Sequence, residues 1–245
     1  MKTNQNEPHL ISGTNEFDHV NATIQSSVNA GRTSTCPQPL YLEKDKFVLI
    51  TGARLPHWHQ DGKVQFVTFR LADSLPQEKL QELTAIKSEW MKGHPQPWDS
   101  KTEEEYNLLV GNKVDTWLNS GYGKCILRLP AIRQIVEDAL RFFDGVRYVL
   151  YAYVIMPNHV HALLSPINGF HVTDLMGSIK RHSASVINQS LGRQGSVWQR
   201  QVFDHMVRDA TEFSQHVRYI QNNPKGLPAG SFSLGGDVFN VAEKT

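Results

Sequence analysis

The 245-residue chain has only two cysteines, Cys36 and Cys125, far apart and in no ligand spacing. That excludes a disulfide framework and a paired-thiolate metal site, and it fits a reducing compartment. Net charge is nearly absent too, formally +1, so there is no global basic signature and any role with nucleic acid must rest on local charge. No run of about 18 apolar residues occurs, which argues against a membrane span. The opening "MKTNQNEPHLISGTNEF" lacks a basic start followed by an apolar stretch, so no secretory leader is expected and a cytoplasmic protein is. No internal repeat is found.

What the chain does have is uneven charge. Between Arg147 and Lys225 eight basic residues face four acids, whereas Asp73 to Asp115 carries nine acids against five lysines. Such asymmetry suits a protein with one anion-facing side, and it also suits solvated helix faces. The length and the 40% hydrophobic content allow one core of about 150 to 200 residues with appendages.

Residues 1–44, rich in Asn, Ser, Thr and Gln, read as a mobile tail. "KVQFVTFRL" (63–71) alternates as a strand does, and Pro76 opens a helix with Leu80, Leu83, Ile86 and Trp90 at helical spacing. Residues 93–123, with "GHPQPWD" and a helix-like acidic run, look like an insertion rather than core. A helix follows Pro130. "RYVLYAYVIM" and "HVHALLS" flank Pro157-Asn158 as an antiparallel strand pair. A helix closed by Gly192, a strand in "SVWQRQVFDHMV" and a last helix ending at Pro224 complete a core over 45–224. Asp209 with Glu212 three residues on is a capping-box arrangement. The order is that of an α/β (α+β) ferredoxin-like sandwich, an antiparallel sheet with helices packed on one face. The segment 225–245 reads as a turn-rich C-terminal tail.

Within "MPNHVHALL", His159 and His161 alternate with Val160 and Ala162, so both imidazoles point to one side of a strand. That is how a strand presents a pair of metal ligands, although chance pairs on a polar face are common. On the last helix Phe213, Val217 and Ile220 form a buried stripe, flanked by Tyr219 with Asn223 one turn further on. A flanking tyrosine is commonly packing. Here a phenol lies beside an amide oxygen able to ligate a hard cation, and two histidines need at least one more ligand. With His159, His161 and Asn223 holding Mg²⁺ or Mn²⁺, Tyr219 can attack a polarised phosphodiester. The same ligands accept Zn²⁺. A second His-x-His, His57 and His59 in "PHWHQ", precedes a turn-like run and suits a surface or DNA-proximal pair.

The blocks "YVIMPNHVHALLSP", "IKRHSASVINQSLG", "VWQRQVFDHMVRD" and "VRYIQNNP", with "LPHWHQDGKVQFVTFRLADSLP" ahead of them, resemble the REP-associated tyrosine transposases, relatives of the single-tyrosine HUH transposases. The resemblance implies an HUH endonuclease-type core with His159 and His161 as metal ligands, Tyr219 as nucleophile and Asn223 as third ligand. It implies cleavage of single-stranded DNA near short hairpin repeats, leaving a 5′-phosphotyrosine and a free 3′-OH, in a cytoplasmic, nucleoid-associated monomer or homodimer. "KGLPAG" after Pro224 departs from the family pattern. Lys180, Arg181, Trp198, Gln199 and Arg200 are candidates for DNA contact, with a solvated helix face and a core tryptophan as the bland alternatives. His205 and Arg208 stand where they can orient phosphate or Tyr219. Two other readings stay open: a non-catalytic hairpin-binding protein, and a metal phosphodiesterase that uses water in place of Tyr219.

Overall fold

The alternation of Gln65–Arg70 places it as strand β3 at the middle of the fold, where it pairs on one side with β5 (His159–Pro166) and on the other with β6 (Phe203–Met206). The computed structural model describes residues 38–43, 49–51, 57–96 and 98–240. Strand β4 (Tyr148–Ile155) joins β5, and β7 (Ser233–Gly235) joins the far side of β4, giving the order β6-β3-β5-β4-β7 with every pair antiparallel. Without β7 the strands lie fourth, first, third, second in chain order, the ferredoxin-like arrangement expected. A separate two-stranded sheet pairs β1 (Leu49–Thr51) with β2 (His57–His59), so the second His-x-His run stands outside the central sheet.

All eight residues of β4 and of β5 are buried, because helices cover both faces of the sheet. On one face Val67, Phe69, Val160 and Ala162 pack against Val136 and Leu140 of α3 (Pro130–Arg141) and Leu175 and Ile179 of α4 (Val172–Ser190). On the other, Phe66, Val154 and Leu163 pack against Ile220 of α5 (Ala210–Asn222), with Phe213, Val217 and Tyr219 partly buried beside it. The expectation of helices on one face therefore holds for the two crossover helices and fails for the tyrosine helix. The register of β5 explains the split: even-numbered residues from Val160 to Leu164 face α3 and α4, and His159, His161 and Leu163 face α5.

Two further segments hold more structure than the sequence reading gave them. Helix α1 (Gln77–Gly93) packs on α2 (Ser100–Asn119) around Leu75, Trp117 and Leu118, so the supposed insertion has its own core and buries Tyr106 and Val110 as well. The C-terminal segment is not merely turns. It adds β7 and the short α6 (Asp237–Asn240), linked by Gly236 at φ 130°, where a Cβ would collide with the backbone of Tyr151 and Ala152. A register shift in β4 between Leu150 and Ala152 sets Tyr151 and Ala152 on the same face and makes this close approach fit. Of the expected N-terminal tail, residues 1–37 and 44 lie outside the described residues, while Leu40 bridges Lys63 and the amide of Leu42 donates to Val207 O. The long strand expected in 196–207 is ordered as β only from Phe203, preceded by a bridge between Trp198 and Leu71. Among the described residues no helix is long and apolar enough to cross a membrane.

Candidate active site

His159 and His161 are both buried, opposite Arg70 and Thr68 of β3, with ring centroids 4.7 Å apart. Each is oriented by a neighbour. The amide nitrogen of Asn158 donates to Leu118 O and Tyr122 O at the end of α2, which fixes its oxygen toward His159 Nδ1 at 2.7 Å. His159 therefore carries its proton on Nδ1 and offers a bare lone pair at Nε2. That Nε2 is buried and has no hydrogen-bond partner. His161 Nδ1 bonds Thr68 Oγ1 at 2.8 Å, which directs Nε2 toward Tyr219. Burial, together with the neighbouring imidazole, holds His159 far below its ordinary pKa. Burial and nearby His216 bring His161 down to about 3. Both rings are neutral at physiological pH, the state that ligates a cation.

The helix α5 begins at Asp209, whose carboxylate accepts from the amide of Glu212, the cap expected from sequence. Glu212 reaches back to the amide of Arg208 rather than that of Asp209. From this start, Tyr219 reaches the face of the sheet that carries the histidines. Its hydroxyl donates to Asp115 Oδ2 at 2.7 Å and lies 3.4 Å from His161 Nε2. A phenol has one hydrogen, and the shorter contact claims it. Burial first, then the charge of Asp115 and the bond to it, raise the Tyr219 pKa strongly, and Asn223 opposes this. Burial raises Asp115 from 3.8 to about 6, moderated by the Tyr219 bond. One turn past Tyr219, Asn223 Oδ1 is buried without a hydrogen-bond partner.

The structure thus links His159 to His161, His161 to Tyr219 and Tyr219 to Asn223 on the α5 side of the sheet, and two acceptor atoms of this set, His159 Nε2 and Asn223 Oδ1, are orphaned. Buried lone pairs of this kind are costly unless something supplies positive charge or a donor. The set fits a divalent cation, and its nitrogen content suits Mn²⁺ or Zn²⁺ better than the all-oxygen sites favoured by Mg²⁺.

The expected DNA-contact residues divide. Arg181 and Arg200 are exposed. Lys180 is half-buried and donates to Gln199 O and Arg200 O, tying α4 to the segment before β6, and burial lowers it to about 8. The backbone N–H of Gln199 donates to Arg70 O. Trp198 is a core residue: it packs edge-on to Phe69 and donates its indole N–H to Ser183 Oγ at 3.0 Å, so it offers no open ring face to a base. His205 pairs with Glu212 at 2.7 Å and Arg208 with Glu104 at 2.6 Å, both committed to protein partners.

Sequence reasoning missed Asp115, Asn158 and Thr68. Asn158 adjoins His159, and Thr68 shares the phase of Phe66 along β3, so both had a local signal. Asp115 had none, being 104 residues from Tyr219 in the chain.

The family model described as "Transposase IS200 like" matches residues 130–223, from the start of α3 to Asn223. A Haemophilus influenzae protein of uncharacterised function is 32% identical over 115 residues, which is 38% of this chain and 62% of that protein. A second from the same organism, provisionally named a REP-associated tyrosine transposase, is 26% identical over 83 residues, 30% of this chain and 47% of that one. The chain thus spans about half to three-fifths of the lengths of these relatives. A solved structure of a REP-associated tyrosine transposase bound to a REP hairpin aligns with a TM-score of 0.38 at 16% identity, over 69% of this chain and 70% of that one. The resemblance read from the sequence blocks is supported: the segment 130–223, which holds both histidines, Tyr219 and Asn223, is similar to the IS200-like transposases.

Proposed function

We propose that the chain is a metal-dependent tyrosine endonuclease and strand transferase, transposase-like, acting on single-stranded DNA beside hairpin repeats. The observation that carries this reading is the position of the Tyr219 hydroxyl, bonded to Asp115 and 3.4 Å from His161 Nε2, in a site where His159 Nε2 and Asn223 Oδ1 are orphaned. The IS200-like match over 130–223, which includes His159, His161, Tyr219 and Asn223, supports it.

His159, His161 and Asn223 would hold Mg²⁺ or Mn²⁺, which when bound supplies Lewis acidity toward the scissile phosphate. Tyr219 Oη attacks phosphorus as its proton passes to Asp115 Oδ2, the tyrosyl ester forms at the 5′ side, the P–O3′ bond breaks, and the leaving oxygen takes a proton from water to become the 3′-OH. Asp115 is suited to this proton because burial raises its pKa toward neutrality. Thr68 and Asn158 keep the two imidazoles in place without entering the reaction. Exposed Arg181 and Arg200 are the candidates for phosphate contact.

The test uses labelled hairpin oligonucleotides from repeats flanking the gene, Mn²⁺ and a denaturing gel. A DNA fragment that stays on the protein and is lost in Tyr219→Phe is the expected result. Cleavage that survives Tyr219→Phe with no attached species would move the assignment to hydrolysis by water, and tight binding without cleavage would leave a hairpin-binding protein.

A further inference from the structure

Glu212, His216, Tyr219 and Asn223 follow along α5 at i, i+4, i+7 and i+11, one continuous polar stripe. The reaction proposed above uses its C-terminal half. The N-terminal half meets His205 of β6, where the Nε2 atoms of His205 and His216 lie 2.7 and 4.0 Å from Glu212 Oε1 and all three donor atoms fall within 4.8 Å of one another. From this geometry we propose that His205, Glu212 and His216 form a second cation site, suited to Zn²⁺, which ties β6 to the first turns of the tyrosine helix.

The donor atoms lie close enough for small side-chain shifts to form a ligand sphere. A tetrahedral ion with arms of about 2.1 Å separates its donors by about 3.4 Å, a value that the two distances to Glu212 bracket. His216 Nε2 is buried and has no hydrogen-bond partner, and its ring is fixed by stacking on Phe66 at 4.3 Å and 15°. Glu212 Oε2 is occupied by the amide of Arg208 at 2.6 Å, which leaves Oε1 for the ion. Behind His205, the side-chain amide nitrogen of Asn107 stands 3.5 Å from Nδ1, and turning that amide over would bring its oxygen there as the acceptor that orients a ligating imidazole.

Charge states agree. Burial would raise Glu212, yet the bond from His205 and the other contacts hold it at about 2. Burial and His205 bring His216 to about 4, against the pull of Glu212. At neutral pH the carboxylate is ionised and His216 neutral.

Two imidazoles and one carboxylate are a borderline donor set that favours Zn²⁺ over Mg²⁺, and three protein ligands leave a fourth position. A cleft of about 170 Å³ between α5 and α2 adjoins the cluster and is lined by His205, Glu212 and His216 together with Asp115 and Tyr219. An ion here would brace the helix that carries the nucleophile from a point two turns before it.

The site does not depend on the proposed activity, and the test separates the two. Full-length protein is stripped with chelator and titrated with Zn²⁺ against a chromophoric chelator, and Co²⁺ substitution reads the geometry by absorption. The double variant His159→Ala/His161→Ala removes the first pair. It is expected to retain one equivalent of Zn²⁺ and a rise in Tm on Zn²⁺ addition. Adding Glu212→Gln, which keeps an acceptor for the Arg208 amide, is expected to weaken that equivalent at least about 100-fold and abolish the rise. In an otherwise unaltered chain, Glu212→Gln alone is expected to lower Zn²⁺ stoichiometry by one, so the result stands even where the double variant does not fold. Absence of saturable Zn²⁺ binding in the folded double variant, or binding that Glu212→Gln leaves unchanged, would overturn the proposal and reduce the cluster to a hydrogen-bonded His205–Glu212 pair beside a stacked His216.

Discussion

The hydroxyl of Tyr219 donates to Oδ2 of Asp115 at 2.7 Å and so joins α5 to α2 across the face of the sheet that carries His159 and His161. Helix α2 is thus part of the site. It brings a carboxylate to the phenol through Asp115, and its C-terminal carbonyl at Leu118 accepts from the Asn158 amide that orients His159. One element therefore reaches both the nucleophile and a candidate ligand, which couples their positions.

Asp115→Asn is expected to stabilise the fold while slowing cleavage. Asp115 has a folded pKa raised from 3.8 to about 6, so between these values the folded chain binds more protons than the unfolded one and stability falls as pH rises. Above pH 6 the ionised, buried carboxylate costs about 3 kcal/mol, which the neutral amide removes while its oxygen still accepts from Tyr219. Chelator-treated protein should unfold at higher temperature in the variant at pH 7.5, with the difference gone at pH 4. Single-turnover cleavage should drop about 100-fold, the usual contribution of a positioned base.

The pH dependence of cleavage follows from the same group. Protonated Asp115 cannot accept the phenolic proton, so the rate should fall as pH drops through about 6. The two histidines do not set this limb, because burial keeps His159 well below its ordinary value and brings His161 to about 3. Single-turnover rates at saturating Mn²⁺ between pH 5 and 8 measure it. A flat profile would remove Asp115 from the proton transfer.

Much of this was legible in the sequence where one element carried the signal. The His-x-His pair needs only the period of a strand, and Tyr219 with Asn223 only the turn of a helix, so the shared face of each pair was readable from spacing, while the roles given to them came from the family resemblance. Strand order followed from the chain order of elements. What stayed hidden was held by tertiary contact. Helix α2 looked like an insertion because acidic and polar residues dominate its exposed side, while the few that matter, Asp115, Trp117 and Leu118, meet segments distant in sequence. Strand β7 was hidden because a three-residue edge strand carries too little alternation to read, and Gly235 and Gly236 look like turn residues. Glu212 was recognised as a helix cap, a role that does not reveal its second carboxylate oxygen beside His205.

Asn158→Ala should loosen the candidate metal centre without touching a ligand. The side chain holds His159 Nδ1 and anchors itself on Leu118 O and Tyr122 O, so its loss frees the imidazole to rotate and leaves buried carbonyls without their donor. Removing such an outer partner commonly costs 10- to 100-fold in metal affinity. The expected result is a rise in the Mn²⁺ concentration for half-maximal cleavage by about that factor, with about 1 to 3 kcal/mol lost in chemical denaturation. An unchanged Mn²⁺ requirement in the folded variant would mean that His159 needs no such support.

Trp198 and the two exposed arginines should separate cleanly as well. Trp198 is packed on Phe69 and bonded to Ser183, so Trp198→Phe acts on the fold, with a loss of about 1 to 3 kcal/mol from the unfilled volume and the missing indole donor. Hairpin affinity of the folded fraction should change less than twofold. Arg181→Ala and Arg200→Ala are surface changes, expected to leave stability within about 0.5 kcal/mol. If each contacts a phosphate, each should lower the salt dependence of hairpin binding by about one unit of slope. Fluorescence anisotropy over a salt series, next to urea unfolding of the same variants, reads both effects. A Trp198→Phe protein that folds normally and loses hairpin binding would place the indole at the DNA after all, which would require the segment before β6 to open on binding.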